Sequence, residues 1–150
     1  MFERLKTLLQ GYAGHAHDAP AEESAPMAAA MLLLEVAWAD QNITDAELEA
    51  TREAVQSMFG LDADRVQALV ERAKSEHDTA ISMYPFTRSV NEALSMEEKR
   101  HLIELLWRLA GADDNVDVHE EFTIRRIADL LYVSHDDFIA AKLDARKDER

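Results

Sequence analysis

Val36-Ala-Trp-Ala-Asp40-Gln-Asn42-Ile43-Thr44-Asp-Ala-Glu47 returns later in the chain as Leu109-Ala-Gly-Ala-Asp113-Asp-Asn115-Val116-Asp117-Val-His-Glu120. Matched positions stand 73 residues apart, and both stretches keep the alanines, the Asp, the Asn two residues on, a β-branched residue after it and the closing Glu. An apolar helical pattern runs into each Asp and a new one begins around each Glu. The motif is therefore a loop between two helices, built twice.

Working outward from the first stretch, Met27 to Ala39 is the most apolar run of the chain. It is shorter than the ~20 residues a bilayer requires, and it carries Glu35, so it predicts a buried helix and no transmembrane segment. Pro26 suits the first turn of that helix, where its missing N–H would be unpaired anyway. The counterpart is Met96 to Ala112, with Leu102, Ile103, Leu105, Leu106, Leu109 and Ala110 against His101, Glu104 and Arg108. Glu35 and Arg108 are equivalent in these two helices. They either pair across a pseudo-two-fold axis or are solvated separately.

Local signals fill in the remainder. Thr44 with Glu47, Ser95 with Glu98 and Asp117 with Glu120 have capping-box spacing, and Asp62 and Ser134 are further helix starts. Gly60 is placed to end a helix in the left-handed region. Pro85 opens a helix carrying Phe86, Val90 and Leu94 on one face. Phe122, Ile124, Ile127, Leu130 and Leu131 are expected to carry the core side of the helix after the second loop. No stretch alternates with the period of a strand. The prediction is an all-α single-domain bundle of about seven helices, internally duplicated around two central apolar helices. The domain spans 24–146. Residues 1–10 form a short amphipathic helix with Phe2, Leu5, Leu8 and Leu9 on one face, 11–23 a flexible linker, and 147–150 a charged tail.

Composition limits the function classes. The chain has 150 residues, 47 % of them apolar and 31 % charged, with 4 Gly and 3 Pro, which suits a helical globular protein with one core. Zero Cys excludes thiol catalysis, thiolate metal sites and disulfides, and is compatible with a reducing compartment. A formal net charge of −14 repels phosphate backbones, so nucleic acid is not an expected partner, whereas cations and basic protein surfaces are. Residues 1–10 offer a helix for packing on the domain, docking a partner or peripheral membrane contact. The sequence does not fix the oligomeric state.

The repeated loop carries the chemistry. A carboxylate at the C-terminal end of a helix opposes the macrodipole at a cost of ~0.3–1 kcal/mol, yet both loops place Asp there. Asp40, Asn42, Thr44 and Glu47, and again Asp113, Asn115, Asp117 and Glu120, are oxygen donors at spacings a tight loop can turn inward. Hard cations such as Ca²⁺ or Mg²⁺ take sets of this type. This is no EF-hand: counted from each Asp, the sixth residues are Asp45 and Val118 where Gly is needed, and the twelfth are Thr51 and Ile124 where a bidentate Glu is needed. The same residues also make sense as structure alone. Asn in the left-handed region would end one helix, while the Thr or Asp and the Glu would cap the next.

Other chemistry is thinner. Glu98 and His101 form one Glu-x-x-His with no second, short of a di-iron bundle. His15, His17 and Asp18 belong to the linker, and His119 and His135 stand at helix starts beside carboxylates without implying catalysis. No phosphate loop, Ser-centred elbow or Cys nucleophile is present, so no catalytic residue is assigned and no enzyme is expected.

With its doubled element Ala37 to Glu47 and Ala110 to Glu120, the chain resembles the TerB-like family, the tellurite resistance protein B group. Met83-Tyr84-Pro85-Phe86-Thr87, Leu94-Ser-Met-Glu-Glu98 and Ile124-Arg-Arg-Ile-Ala-Asp-Leu-Leu131 support the likeness, which covers about Met27 to Lys142. Asn42 and Asn115 stand where the family usually has Gly, and Asn tolerates the left-handed turn next best. The resemblance implies a cytoplasmic helical bundle of duplicated origin, metal binding through Asp40, Glu47, Asp113 and Glu120, and a link to tellurite or stress resistance. A similar domain precedes a J-domain in a membrane-anchored co-chaperone, which implies a sensor or docking role. Direct chemistry on tellurite fits poorly, because the oxyanion would meet a strongly negative protein with no thiol to reduce it. Two functions follow as expectations. One is a cation-binding sensor or docking module; the other is a metal-free acidic scaffold or co-chaperone-like adaptor for a basic partner.

Overall fold

A computed structural model describes residues 24–111 and 116–147. The expected helix at 1–10, the linker at 11–23, the end of the tail, and Asp113 and Asn115 lie outside the described residues. Seven α-helices follow in order: α1 Ser24–Ala37, α2 Asp45–Phe59, α3 Ala63–Thr79, α4 Tyr84–Ala93, α5 Met96–Ala110, α6 Val118–Leu130 and α7 His135–Lys147, with a 3₁₀ turn at Trp38–Asp40. Among the described residues there is no strand, as the absence of any period-two pattern anticipates.

The apolar run makes α1 the axis of the bundle. From Pro26 to Ala37 only Glu35 escapes full burial, and Met31, Leu32, Leu33 and Leu34 are each at most 1 % exposed. A helix that is apolar all round has no solvent face, so neighbours must surround it. α1 packs against α2, α3, α4, α5 and α6, and α5 in turn holds α1, α2, α6 and α7. These are the two central helices the sequence predicts. Each fully buried Leu or Met side chain contributes about 1.5–3 kcal/mol of burial.

The caps form where their residues call for them. Thr44, Ser95 and Asp117 each accept the backbone N–H three residues on, while Glu47, Glu98 and Glu120 reach back to the cap N–H. Asp62 Oδ1 accepts from Arg65 N–H at 2.9 Å, and Ser134 Oγ from Asp137 N–H at 3.2 Å. Gly60 ends α2 at φ 67°.

Two expectations are corrected. The left-handed residue after the first central helix is Gln41, at φ 65°, and not Asn42, because the helix tightens into the 3₁₀ turn and Gln41 N–H closes it onto Trp38 O at 2.7 Å. Phe122 and Leu130 do not carry the core: they are 66 % and 39 % exposed, and the inward face of α6 is Glu120, Ile124, Ile127 and Ala128. Glu35 Oε1 lies 3.1 Å from Nε2 of the half-buried His77, and Arg108 donates to Glu104 one turn back on its own helix at 3.2 Å.

Candidate metal centre

Two helix starts bring acidic residues together. In a capping box the Glu at the third helical position must curl back toward the cap, which points its carboxylate to the end of the helix. Glu47 Oε1 accepts Thr44 N–H at 2.8 Å and Glu120 Oε1 accepts Asp117 N–H at 3.1 Å. Both Glu residues lie on the inner side of their helices, at 1 % and 3 % exposure. α6 also packs against the Trp38–Asp40 turn.

There the Glu120 carboxyl lies within hydrogen-bonding reach of the Glu47 carboxyl, with the Asp40 charge close enough to be felt. Two ionised carboxylates can only accept. Glu120 Oε2 is consequently buried with no donor, an arrangement that costs free energy until something positive or protic arrives. Burial and the charges of Glu47 and Asp40 push the Glu120 carboxyl up to about 7, against the opposing pull of the Asp117 N–H. A proton shared by the pair satisfies the site at low pH, and a cation would do so when the proton leaves.

The other sequence-selected residues that the structure describes serve mainly their local turns. Asp40 is exposed and its Oδ1 accepts Asn42 N–H at 3.1 Å, which braces the turn. Asn42 is exposed. Thr44 Oγ1 accepts Glu47 N–H at 3.1 Å, and an Asp117 oxygen accepts His119 N–H at 2.9 Å, so both side chains serve as caps. Glu47, Glu120 and, at longer range, Asp40 are thus brought together, while Asn42, Thr44 and Asp117 remain in their local turns. Among the described residues no three His, Asp or Glu side chains form a complete metal cage. The donors are all oxygen, which fits a hard cation and excludes a soft one.

The approach of Glu120 to Glu47 is left open by the sequence, which does not fix whether the two acidic elements act singly or together. Its signal was present: Glu120, Ile124, Ile127 and Leu131 fall at i, i+4, i+7 and i+11, an inward stripe that includes the Glu.

Elsewhere, the Glu-x-x-His pair on α5 is dispersed, since Glu98 caps Ser95 and His101 Nδ1 bonds Glu104 at 3.1 Å. No helix among the described residues is long and apolar enough to cross a membrane. The family model for the tellurite resistance protein TerB matches residues 26–143. Neither the curated proteins nor the solved structures give a significant match.

Proposed function

Since the chain belongs to the TerB family, we propose that it is a non-catalytic module that binds one hard divalent cation between its two acidic loops and presents a docking surface whose rigidity depends on that ion. The observation that carries this reading is the buried, donorless Oε2 of Glu120 facing Glu47. Glu47 and Glu120 would hold the ion, with the Asp40 charge close by, and the sequence selects Asp113 as a further donor. Two buried carboxylates match the needs of Mg²⁺, which keeps several waters and takes one or two carboxylates, better than the six to eight oxygens of Ca²⁺. The ion would supply the positive charge that lets both buried carboxylates ionise, and so would tie α2 to α6. A role in tellurite or stress response, in which such a module senses or docks, is consistent with the family.

Titration calorimetry of the chain with Mg²⁺, Ca²⁺ and Mn²⁺ tests this. Saturable binding at one ion per chain is expected, lost in Glu120→Gln and weakened in Asp113→Asn. Absence of heat at millimolar cation, or binding unchanged in Glu120→Gln, would overturn it. The second reading, a metal-free acidic scaffold for a basic partner, draws on the same pair, because a shared proton also satisfies it. That reading expects a complex weakened by salt and indifferent to chelator.

A further inference from the structure

α6 buries one side and, among the described residues, leaves the other exposed. Val118, His119, Phe122, Arg126, Asp129 and Leu130 are all exposed and fall within about a third of the helix circumference, opposite Ile124 and Ile127. Val118 is 76 % exposed and Phe122 66 %, unusual for large apolar side chains on a helix whose other face is core. Neither the Arg126 guanidinium nor the Asp129 carboxylate has an ion-pair partner among the described residues.

We infer that this face is an isologous dimerisation surface, with α6 of one chain packed antiparallel on α6 of a second copy about a two-fold axis at the level of Ile124. The stripe is complementary to itself in that register. Antiparallel pairing centred on position 124 sets Val118 against Leu130, Phe122 against Arg126, and His119 against Asp129, each contact occurring twice. The first is an apolar pair, the second a cation over an aromatic face, and the third a hydrogen-bonding pair. Past the helix ends the same register brings Val116 toward Tyr132, which are 41 % and 74 % exposed. Tyr132 lines a groove of about 290 Å³ with Tyr84, Asn91 and Leu130, placed to receive the start of the other copy's α6.

Charge argues for a second copy over a basic or acidic partner. The chain carries −14, so most faces of two copies repel, but Arg126 and Asp129 leave this stripe with no net charge. A single helix pair buries less than the roughly 1,200 Å² at which stable specific interfaces begin, so the dimer is weak and concentration-dependent. Screening the long-range repulsion strengthens it, the opposite of a complex between unlike charges.

Sedimentation equilibrium of the full chain from micromolar to near-millimolar concentration tests the surface, in chelator so that cation binding plays no part. The mass is expected to rise from 17.0 kDa toward twice that value, more steeply as salt is added. Phe122→Glu should hold it at 17.0 kDa throughout with an unchanged helical circular dichroism spectrum. Because the chain has no cysteine of its own, a mixture of His119→Cys and Asp129→Cys chains should oxidise mainly to the mixed disulfide. A constant mass at every concentration, association that survives Phe122→Glu, or disulfides formed without preference for the mixed pair would overturn the proposal.

Discussion

Two capping boxes of the same chemistry end in opposite electrostatic situations. At the start of α5, Glu98 caps Ser95 in the open, and the Ser95 N–H and hydroxyl hold its carboxyl below the usual range. At the start of α6, Glu120 makes the same bond to Asp117 N–H, yet burial beside Glu47 and Asp40 lifts it to about 7. Capping a helix requires only the first arrangement. The second carries an added penalty from two buried carboxylates placed face to face, and capping gives no reason for it. The contrast separates what the helix ends need for stability from what the site adds.

The contrast breaks most visibly with pH. Glu120 holds its proton more tightly in the folded chain than the ordinary 4.5, so in metal-free protein its contribution to stability is full below about pH 4.5 and is lost as pH rises through about 7. The loss is on the order of 3 kcal/mol, measured by urea unfolding across that window. Glu120→Gln should flatten it. Glu98 has the opposite sign: its lowered carboxyl contributes above the ordinary value and ceases to do so as pH falls, so Glu98→Gln should leave the neutral window untouched.

Next in size is the response to cation. At a hundredfold excess over its dissociation constant a bound ion raises stability by about 2.7 kcal/mol. Thermal melts with Mg²⁺ and with chelator should differ for the native chain and for Glu98→Gln, and coincide for Glu47→Gln and Glu120→Gln. The caps themselves are worth about 1 kcal/mol each. Ser95→Ala and Thr44→Ala should therefore lose similar stability in denaturant unfolding, but only Thr44→Ala should also weaken cation binding, because it frees the end of α2 that aims Glu47.

Much of this architecture was legible in the residues. Caps are local, so Thr44, Asp62, Ser95, Asp117 and Gly60 announced the helix ends, and the all-round apolar run announced the central helix. Properties that depend on distant neighbours were not. His77 meets Glu35 across 42 positions with no local sign of it. Phe122 looked like core by hydrophobicity, but it stands about 200° around the helix from Glu120 and from Ile124, and the carboxylate holds the inward place. At the site, the donor types and their spacing were readable, whereas the approach of Glu120 to Glu47 came from packing α6 on the turn after α1. The left-handed turn was foreseen, but at the wrong residue.

That turn supplies the smallest test. Gln41 and Gly60 end their helices with nearly the same backbone, φ 65° and 67°, but only Gly adopts it without strain. Gln41→Gly should stabilise the chain by about 0.5 kcal/mol, while Gly60→Ala should cost about 1 kcal/mol. Chemical denaturation resolves both.

The most direct measurement is a carboxyl-carbon NMR titration of Glu120, with and without Mg²⁺. A midpoint near 7 in metal-free protein, moving down when the cation is added, is expected if Glu47 and Glu120 face each other around one exchangeable charge. A midpoint near the ordinary 4.5 under both conditions would contradict it.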